Sequence, residues 1–141
     1  IALHPATRFI ATMNFGYAGT RELNEALVSR FMVINMPPVN EETLSRLLES
    51  AFSDVKKEPL RQLCGLFLDL QTKAKNGEIS TKAIDLRGLM GALKMMRGGL
   101  APLKAVNMGI TNKSFDGFER EMIADIVMTR IPASWTSKDV F

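Results

Sequence analysis

Two short apolar runs, rich in aromatic and β-branched residues, stand near the start of the chain. Residues 9–13 end at Asn14 in a glycine-containing loop, residues 31–36 end at two prolines, and a helical pattern lies between them at residues 21–28. Short apolar runs bounded by turn residues are typical of buried strands, and the order strand, helix, strand is typical of a parallel sheet. Two strands alone are too few to be stable. The pattern therefore predicts that residues 1–38 are an α/β fragment of a larger sheet.

From residue 39 to residue 132, apolar side chains recur at spacings of three and four, which predicts a domain of about four α-helices. We expect Ser80 or Thr81 to cap the third helix at its start, and Pro132 to end the last one. Residues 133–141 are predicted to be a frayed tail or a contact arm. The apolar positions predict a helical core that includes Leu44, Leu48, Phe52, Leu60, Leu63, Phe67, Leu70, Leu86, Leu89, Leu93, Met96, Phe118, Met122, Ile126 and Val127.

Composition and charge exclude several classes of function. The formal net charge of +3 is too small to indicate nucleic acid or an anionic membrane. The chain has one cysteine, Cys64, and one histidine, His4, so no His/Cys metal site and no intramolecular disulfide is expected. No apolar run approaches the ~18 residues of a membrane span. A reducing, cytoplasmic compartment is the expectation, and since the chain begins with Ile1 we expect it to be part of a longer protein.

The motifs that bind and hydrolyse a nucleoside triphosphate are missing from this chain. A phosphate-binding loop needs glycines followed by Gly-Lys and then Ser or Thr, and no Gly-Lys pair occurs. Residues 107–114 are the stretch most similar to a phosphate-binding loop, but they have asparagine at both positions where glycine is needed. Residues 66–69 resemble a magnesium-binding strand that ends in an acidic residue, but they continue the apolar pattern of a helix. We therefore expect this chain alone not to hydrolyse ATP.

The strongest functional signal is the stretch from residue 10 to residue 31. Residues 10–14 read Ile-Ala-Thr-Met-Asn, and residues 23–31 read Leu-Asn-Glu-Ala-Leu-Val-Ser-Arg-Phe. This resembles the second half of an AAA+ ATPase core of the MoxR and dynein-related branch, where a strand ending in Thr-Met-Asn or Thr-Gln-Asn precedes Leu-x-x-Ala-x-x-x-Arg-Phe. The resemblance implies the end of a P-loop NTPase parallel sheet over residues 1–38, followed by an all-α four-helix AAA+ lid over residues 39–132.

The resemblance also implies roles for four residues. Asn14 would be sensor 1, which helps to hold the attacking water, and Arg30 would be the arginine finger that reaches the neighbouring subunit's nucleotide. Lys82 stands at the sensor 2 position, where relatives have arginine, and Arg87 is the alternative. Simpler interpretations stay open: Asn14 as a turn former, Arg30 as a solvated helix-end charge, and Lys82 as a surface charge.

The complete protein would, on this resemblance, be a ring-forming ATPase that uses ATP and Mg²⁺ to remodel a protein partner. A hexamer is expected, a partner with a von Willebrand factor A domain is common in this branch, and neither a nucleic acid nor a membrane is implied. The alternative is a non-enzymatic helical interaction module. Nucleic-acid binding is suggested only by a pI of 9.2 and the run Lys-Met-Met-Arg at residues 94–97, without a base-reading motif. We also predict self-association through the apolar residues of 9–13 and 31–36.

Overall fold

A computed structural model of the protein describes residues 2–13 and 24–141. The chain divides into two compact units, an amino-terminal unit, Ile1–Pro37, and a helical unit, Pro38–Phe141. The described ranges contain seven α-helices: α1 (Glu25–Val28), α2 (Glu41–Ala51), α3 (Lys57–Lys75), α4 (Leu86–Arg97), α5 (Pro102–Gly109), α6 (Gly117–Arg130) and α7 (Ser137–Val140). Two short 3-10 turns, Thr81–Ala83 and Thr111–Lys113, precede α4 and α6.

The prediction of an α/β fragment is wrong, because no strand forms within residues 2–13 and 24–141. Residues 9–13 and 32–36 have no regular secondary structure, and their apolar side chains face solvent, as in Ile10, which is 92% exposed, and Met32, which is 96% exposed. A strand is stable only when a neighbouring strand pairs with its N–H and C=O groups. Apolar and β-branched composition favours an extended backbone but cannot supply that neighbour. The described fold is therefore helical.

The first two helices of the helical unit form where the sequence predicts them. Asn40 caps α2, since its Oδ1 accepts a hydrogen bond from the Thr43 N–H at 2.9 Å, and two glutamates follow in the first turn. Beyond the end of α3, Gly77 adopts a positive φ of 76°, a conformation that glycine takes without steric cost. Leu44 and Leu48 of α2 are fully buried.

A single apolar core holds the helical unit together. It draws on α2 to α7 and on the first 3-10 turn, so every long helix buries one face against the others. Among its fully buried side chains are Leu44, Leu48, Leu66, Leu70, Leu89, Leu93, Met96, Ile110 and Ile123. Burial of such side chains contributes about 1.5–3 kcal/mol each to folding. The helical unit therefore has the apolar interior that a stable domain needs.

Two helix predictions need correction. Helix α4 begins at Leu86 and not at Ser80 or Thr81, because the Ser80 N–H donates to the Glu119 carboxylate of α6 and residues 81–83 form a 3-10 turn. In α6, the predicted core residue Phe118 is 73% exposed, whereas Ile123 is buried together with Val127. The buried face of α6 is therefore centred on Ile123 and Val127, and Phe118 lies outside it.

Helices α4 and α5 approach most closely at two glycines. A Cβ atom added to Gly88 would lie 2.1 Å from the Gly109 carbonyl oxygen, and one added to Gly109 would lie 2.4 Å from the Gly88 carbonyl oxygen. Carbon and oxygen atoms that are not bonded do not approach so closely. The absence of both side chains is therefore what allows the two backbones to touch.

Of the two alternatives that the sequence leaves open for residues 133–141, the structure shows the contact arm and not the frayed tail. Val140 is buried, and its carbonyl oxygen accepts a hydrogen bond from the Lys56 N–H at 2.8 Å. The Arg97 guanidinium lies 4.9 Å from the ring centroid of Phe52 and 5.2 Å from that of Phe141. These contacts attach the segment with α7 to the α2–α3 connection and to α4.

Cys64 is a buried apolar contact of α3, as the sequence predicts. The residue is 2% exposed, and burial, with a smaller effect of Glu41 and Glu49, raises the pKa of its thiol to about 11. We expect its reaction with a disulfide reagent at pH 8 to be about 100-fold slower in the folded protein than in denaturant, because the thiolate is the reacting form. Stopped-flow absorbance with an aromatic disulfide measures both rates. Equal rates in the two states would contradict this burial.

No helix in the described ranges is both long enough and apolar enough to cross a bilayer.

Candidate functional site

The residues that the sequence singles out fall into three places. Asn14 lies outside the described residues. Arg30 belongs to the amino-terminal unit, while Lys82 and Arg87 belong to the helical unit. Lys82 and Arg87 lie in one stretch around the start of α4, on different elements of secondary structure.

Arg30 stands two residues after the end of α1, and its side chain is exposed. Asn24 caps this short helix by accepting a hydrogen bond from the Ala26 N–H at 2.8 Å. One Arg30 N–H donates back to the Ala26 carbonyl oxygen at 2.6 Å. A guanidinium has five N–H donors, and within residues 2–13 and 24–141 this is the one hydrogen bond that the Arg30 side chain makes.

Lys82 lies in the 3-10 turn Thr81–Ala83, not at the start of a helix. Its ammonium group lies 5.9 Å from the ring centroid of Phe115, and its positive charge acts on the nearby Glu119 carboxylate. A cation over an aromatic face gains about 0.5–1 kcal/mol at an exposed site. Lys82 therefore has partners within the fold that account for its position.

Glu119 connects α6 to the segment before α4 through hydrogen bonds, a role that the sequence did not predict. Its carboxylate accepts hydrogen bonds from the Ser114 hydroxyl and the Ser80 N–H, and Ser114 is buried. The bond from Ser114 is the main cause that lowers the pKa of Glu119, burial opposes it, and Ser80 and Lys82 lower the pKa further. The signal that could have revealed this residue is the spacing of Asp116 and Glu119, an acidic N-cap with Glu three residues later.

Arg87 occupies the second position of α4 and is exposed. No carboxylate in the described part of the chain lies within ion-pair distance of its guanidinium. Asp85, the N-cap residue, is instead paired with Lys113. Burial raises the pKa of Asp85, but the hydrogen bond from Lys113 and the nearby N–H groups of Gly88 and Arg87 lower it below its ordinary value. The acid nearest in sequence to Arg87 is thus neutralised by another residue.

At the start of α4 the Asp85 carboxylate already accepts from the N–H groups of Gly88 and Arg87, so the charge that remains for an outside anion is the Arg87 side chain. A guanidinium binds phosphate oxygens through two parallel hydrogen bonds. Arg87, and Arg30 in the other unit, are exposed cations with the charge that an anion requires. Within residues 2–13 and 24–141, no cluster of three or more His, Cys, Asp or Glu side chains is arranged to hold a metal ion.

A cleft between α2, α3 and α6 is less suited to an anion. It has a volume of about 310 Å³, and Arg61, Asp69 and Arg130 are among its lining residues. Asp69 accepts two hydrogen bonds from Arg130, at 2.8 and 3.2 Å, and Arg61 is paired with Glu58. Because both guanidinium groups already have carboxylate partners, the cleft offers little net positive charge.

Comparison with known proteins finds relatives of greater length. The chain is 32% identical to the uncharacterized protein YojN of Bacillus subtilis (strain 168) over 120 residues, which are 85% of this chain and 39% of YojN. It is 31% identical over 126 residues to uncharacterized proteins of Staphylococcus aureus strains NCTC 8325 / PS 47 and COL, covering 87% of this chain and 46% of each relative. No family model and no solved structure matches. The chain thus spans less than half the length of these curated relatives, whose descriptions assign them no activity.

Proposed function

We propose that this chain takes part in ATP hydrolysis by a ring-forming AAA+ ATPase of the MoxR and dynein-related branch. The observation that carries the proposal is the exposed Arg30, two residues after the end of α1 and within the run Leu-x-x-Ala-x-x-x-Arg-Phe of residues 23–31. The proposal does not depend on a sheet within this chain. It depends on three polar side chains, Asn14, Arg30 and Arg87, and on their access to phosphate groups.

Arg30 acts in trans in this proposal. Its guanidinium is held near α1 by one hydrogen bond to a backbone carbonyl, and the proposal assigns its other donors to the γ-phosphate oxygens in a neighbouring subunit. A fixed guanidinium at that point stabilises the charge of the transition state for phosphoryl transfer. Asn14 acts in its own subunit, where its side-chain amide orients the attacking water.

Arg87, and not Lys82, serves as sensor 2 in this proposal. Sensor 2 belongs at the start of a lid helix, and α4 begins at Leu86, so Arg87 lies in its first turn while Lys82 precedes the helix. Arg87 adds the bidentate geometry that lysine lacks.

ATP, with Mg²⁺, supplies the phosphoanhydride bond that is cleaved when it is bound. This chain's residues bind and orient phosphate oxygens, and the remaining parts of the nucleotide site belong to the complete polypeptide. A cytoplasmic ring, in which one subunit's arginine completes the next subunit's site, is part of the proposal. The remodelled partner is a protein.

The test is ATP turnover by the complete polypeptide with substitutions at the two sensor 2 candidates. We expect Arg87→Ala to lower turnover about 10-fold to 100-fold, since a hydrogen bond to a charged group contributes about 1.5–3 kcal/mol. We expect Lys82→Ala to change turnover less than about twofold, because Lys82 contacts Phe115 and lies near Glu119. A coupled-enzyme phosphate assay measures both.

Arg46→Ala is the matched control, because Arg46 is an exposed helix arginine on α2 that pairs with Glu42 of the same helix. A complete polypeptide that neither binds nor hydrolyses ATP would contradict the proposal and favour the helical interaction module. A larger loss with Lys82→Ala than with Arg87→Ala would reverse the assignment of sensor 2.

A further inference from the structure

Residues 86–115 carry an unusual charge pattern. They contain five basic residues, Arg87, Lys94, Arg97, Lys104 and Lys113, and no Asp or Glu. This segment contributes +5 to a chain whose formal net charge is +3, so the rest of the chain is slightly acidic. The segment forms the α4–α5 hairpin and the turn after it. The chain's excess of basic over acidic residues therefore lies in one supersecondary unit.

Helix stability does not account for this pattern. An acidic residue in the first turn stabilises a helix, and α1, α2, α3, α6 and α7 each have at least one. Helix α4 has an acid only at its N-cap, Asp85, and α5 has none, and their first turns carry Arg87 and Lys104 instead. A cation at that end of a helix is unfavourable by about 0.3–1 kcal/mol. Arg87 has a role in the proposed nucleotide site, but Lys104 lies on the other helix and has none.

The cations near the hairpin turn differ in their internal partners. Arg97 is paired with Asp54 and contacts two aromatic rings. Lys94 and Lys104 are exposed, and no carboxylate in the described ranges lies within ion-pair distance of either ammonium group. Both lie within four residues of the connecting segment 98–101. Two charges at this end of the hairpin are thus available to a partner.

Apolar side chains accompany these two lysines. Met95, Leu100 and Leu103 are half-buried, packing on the core from the same turn region while leaving part of their surface to solvent. We call Lys94, Lys104 and these three apolar residues the basic hairpin surface. A partner that matches it carries acidic groups next to apolar side chains, which is the character of an amphipathic acidic helix.

We propose that the basic hairpin surface docks an acidic, amphipathic helical segment of a partner protein. Charge complementarity favours an acidic ligand, and the partly exposed methionine and leucines favour a protein over a nucleic acid. The described part of residues 86–115 has one aromatic residue, Phe115, at its far end from the turn, so it has no stacking platform for bases. The surface lies about 10 Å along α4 from Arg87.

The experiment uses a fluorescein-labelled peptide of about 18 residues with Glu and Leu in helical spacing, and measures its anisotropy with the full chain. We expect saturable binding that weakens at least about fivefold between roughly 50 and 200 mM salt. Reversal of both charges, Lys94→Glu with Lys104→Glu, is expected to weaken binding about tenfold or more. Lys94→Gln with Lys104→Gln is a milder variant that removes charge without reversing it, and we expect an intermediate loss.

The matched control is Lys57→Glu with Lys75→Glu, which makes the same change of net charge at two exposed lysines of α3. We expect it to alter affinity less than about twofold. Equal losses of affinity in the two double variants would mean that only the net charge of the chain matters, which would overturn the proposal. So would an absence of peptide binding by the unsubstituted chain, or tighter binding of single-stranded DNA of similar length than of the peptide.

Discussion

Gly88→Ala is expected to lower the free energy of unfolding of the helical unit by about 2–3 kcal/mol, which corresponds to a fall in melting temperature of about 10 °C. The new Cβ would lie 2.1 Å from the Gly109 carbonyl oxygen and 2.9 Å from the Lys113 ammonium nitrogen. The first of these is a backbone atom, so α4 and α5 must move apart. The helical preference of alanine, at most about 1 kcal/mol, does not offset that movement. Thermal unfolding followed by circular dichroism measures the change.

Gly91→Ala is the matched control for this prediction. Gly91 lies in the same helix, and a Cβ added there meets nothing within 4 Å. Alanine should therefore stabilise the unit by about 0.5–1 kcal/mol at this position. Gly109→Ala probes the other side of the contact and is expected to destabilise, since its Cβ would lie 2.4 Å from the Gly88 carbonyl oxygen. An unchanged or raised melting temperature for Gly88→Ala would mean that the helices do not cross at these glycines.

Arg30→Ala is expected to lower ATP turnover by the complete polypeptide about 10³-fold or more, which is the usual contribution of an arginine finger. ATP affinity should stay within about threefold, because the finger acts on the neighbouring subunit's transition state and not on its own nucleotide. Phosphate release measures turnover, and a fluorescent ATP analogue measures affinity. Arg30→Lys keeps the charge but loses the planar donor geometry, so we expect it to recover little of the rate.

Arg8→Ala is the control for Arg30→Ala within the same unit. Arg8 is also exposed, and its guanidinium donates to the carbonyl oxygens of Pro5 and Thr7. We expect turnover within about twofold of the unsubstituted protein. A comparable loss in both variants would indicate a general effect of arginine removal on the unit, and Arg30 would then be a helix-end charge.

The sequence predicts the helical unit well because helix formation depends on nearby residues. Asn40 caps α2 and Gly77 follows α3 as their local patterns indicate. The start of α4 differs from the prediction because the Ser80 N–H donates a hydrogen bond to Glu119, which is 39 residues away in the sequence. A contact between such distant residues leaves no pattern in the local sequence. The strand predictions fail for a related reason. Residues 9–13 and 31–36 have strand composition, but strand formation requires a pairing partner that local sequence does not provide.

The proposed site could be predicted only in part. The run that contains Arg30 is visible in sequence because it is contiguous. The choice between Lys82 and Arg87 is not, since it depends on whether the helix begins at residue 80 or at residue 86. The close contact of Gly88 with Gly109 cannot be predicted from the sequence either. A glycine occurs in a helix for several different reasons, and only the position of the neighbouring backbone shows that close packing is the reason here.

The central claim, that Arg30 completes a neighbouring subunit's ATP site, is tested most directly by mixing two inactive variants of the complete polypeptide. Arg30→Ala subunits lack the finger but keep Asn14, and Asn14→Ala subunits lack sensor 1 but keep the finger. At each junction where an Asn14→Ala subunit donates Arg30 to an Arg30→Ala subunit, one intact site forms. Equal mixing is therefore expected to restore about a quarter of the original turnover in a head-to-tail ring. Turnover that stays at the level of the separate variants would contradict the account.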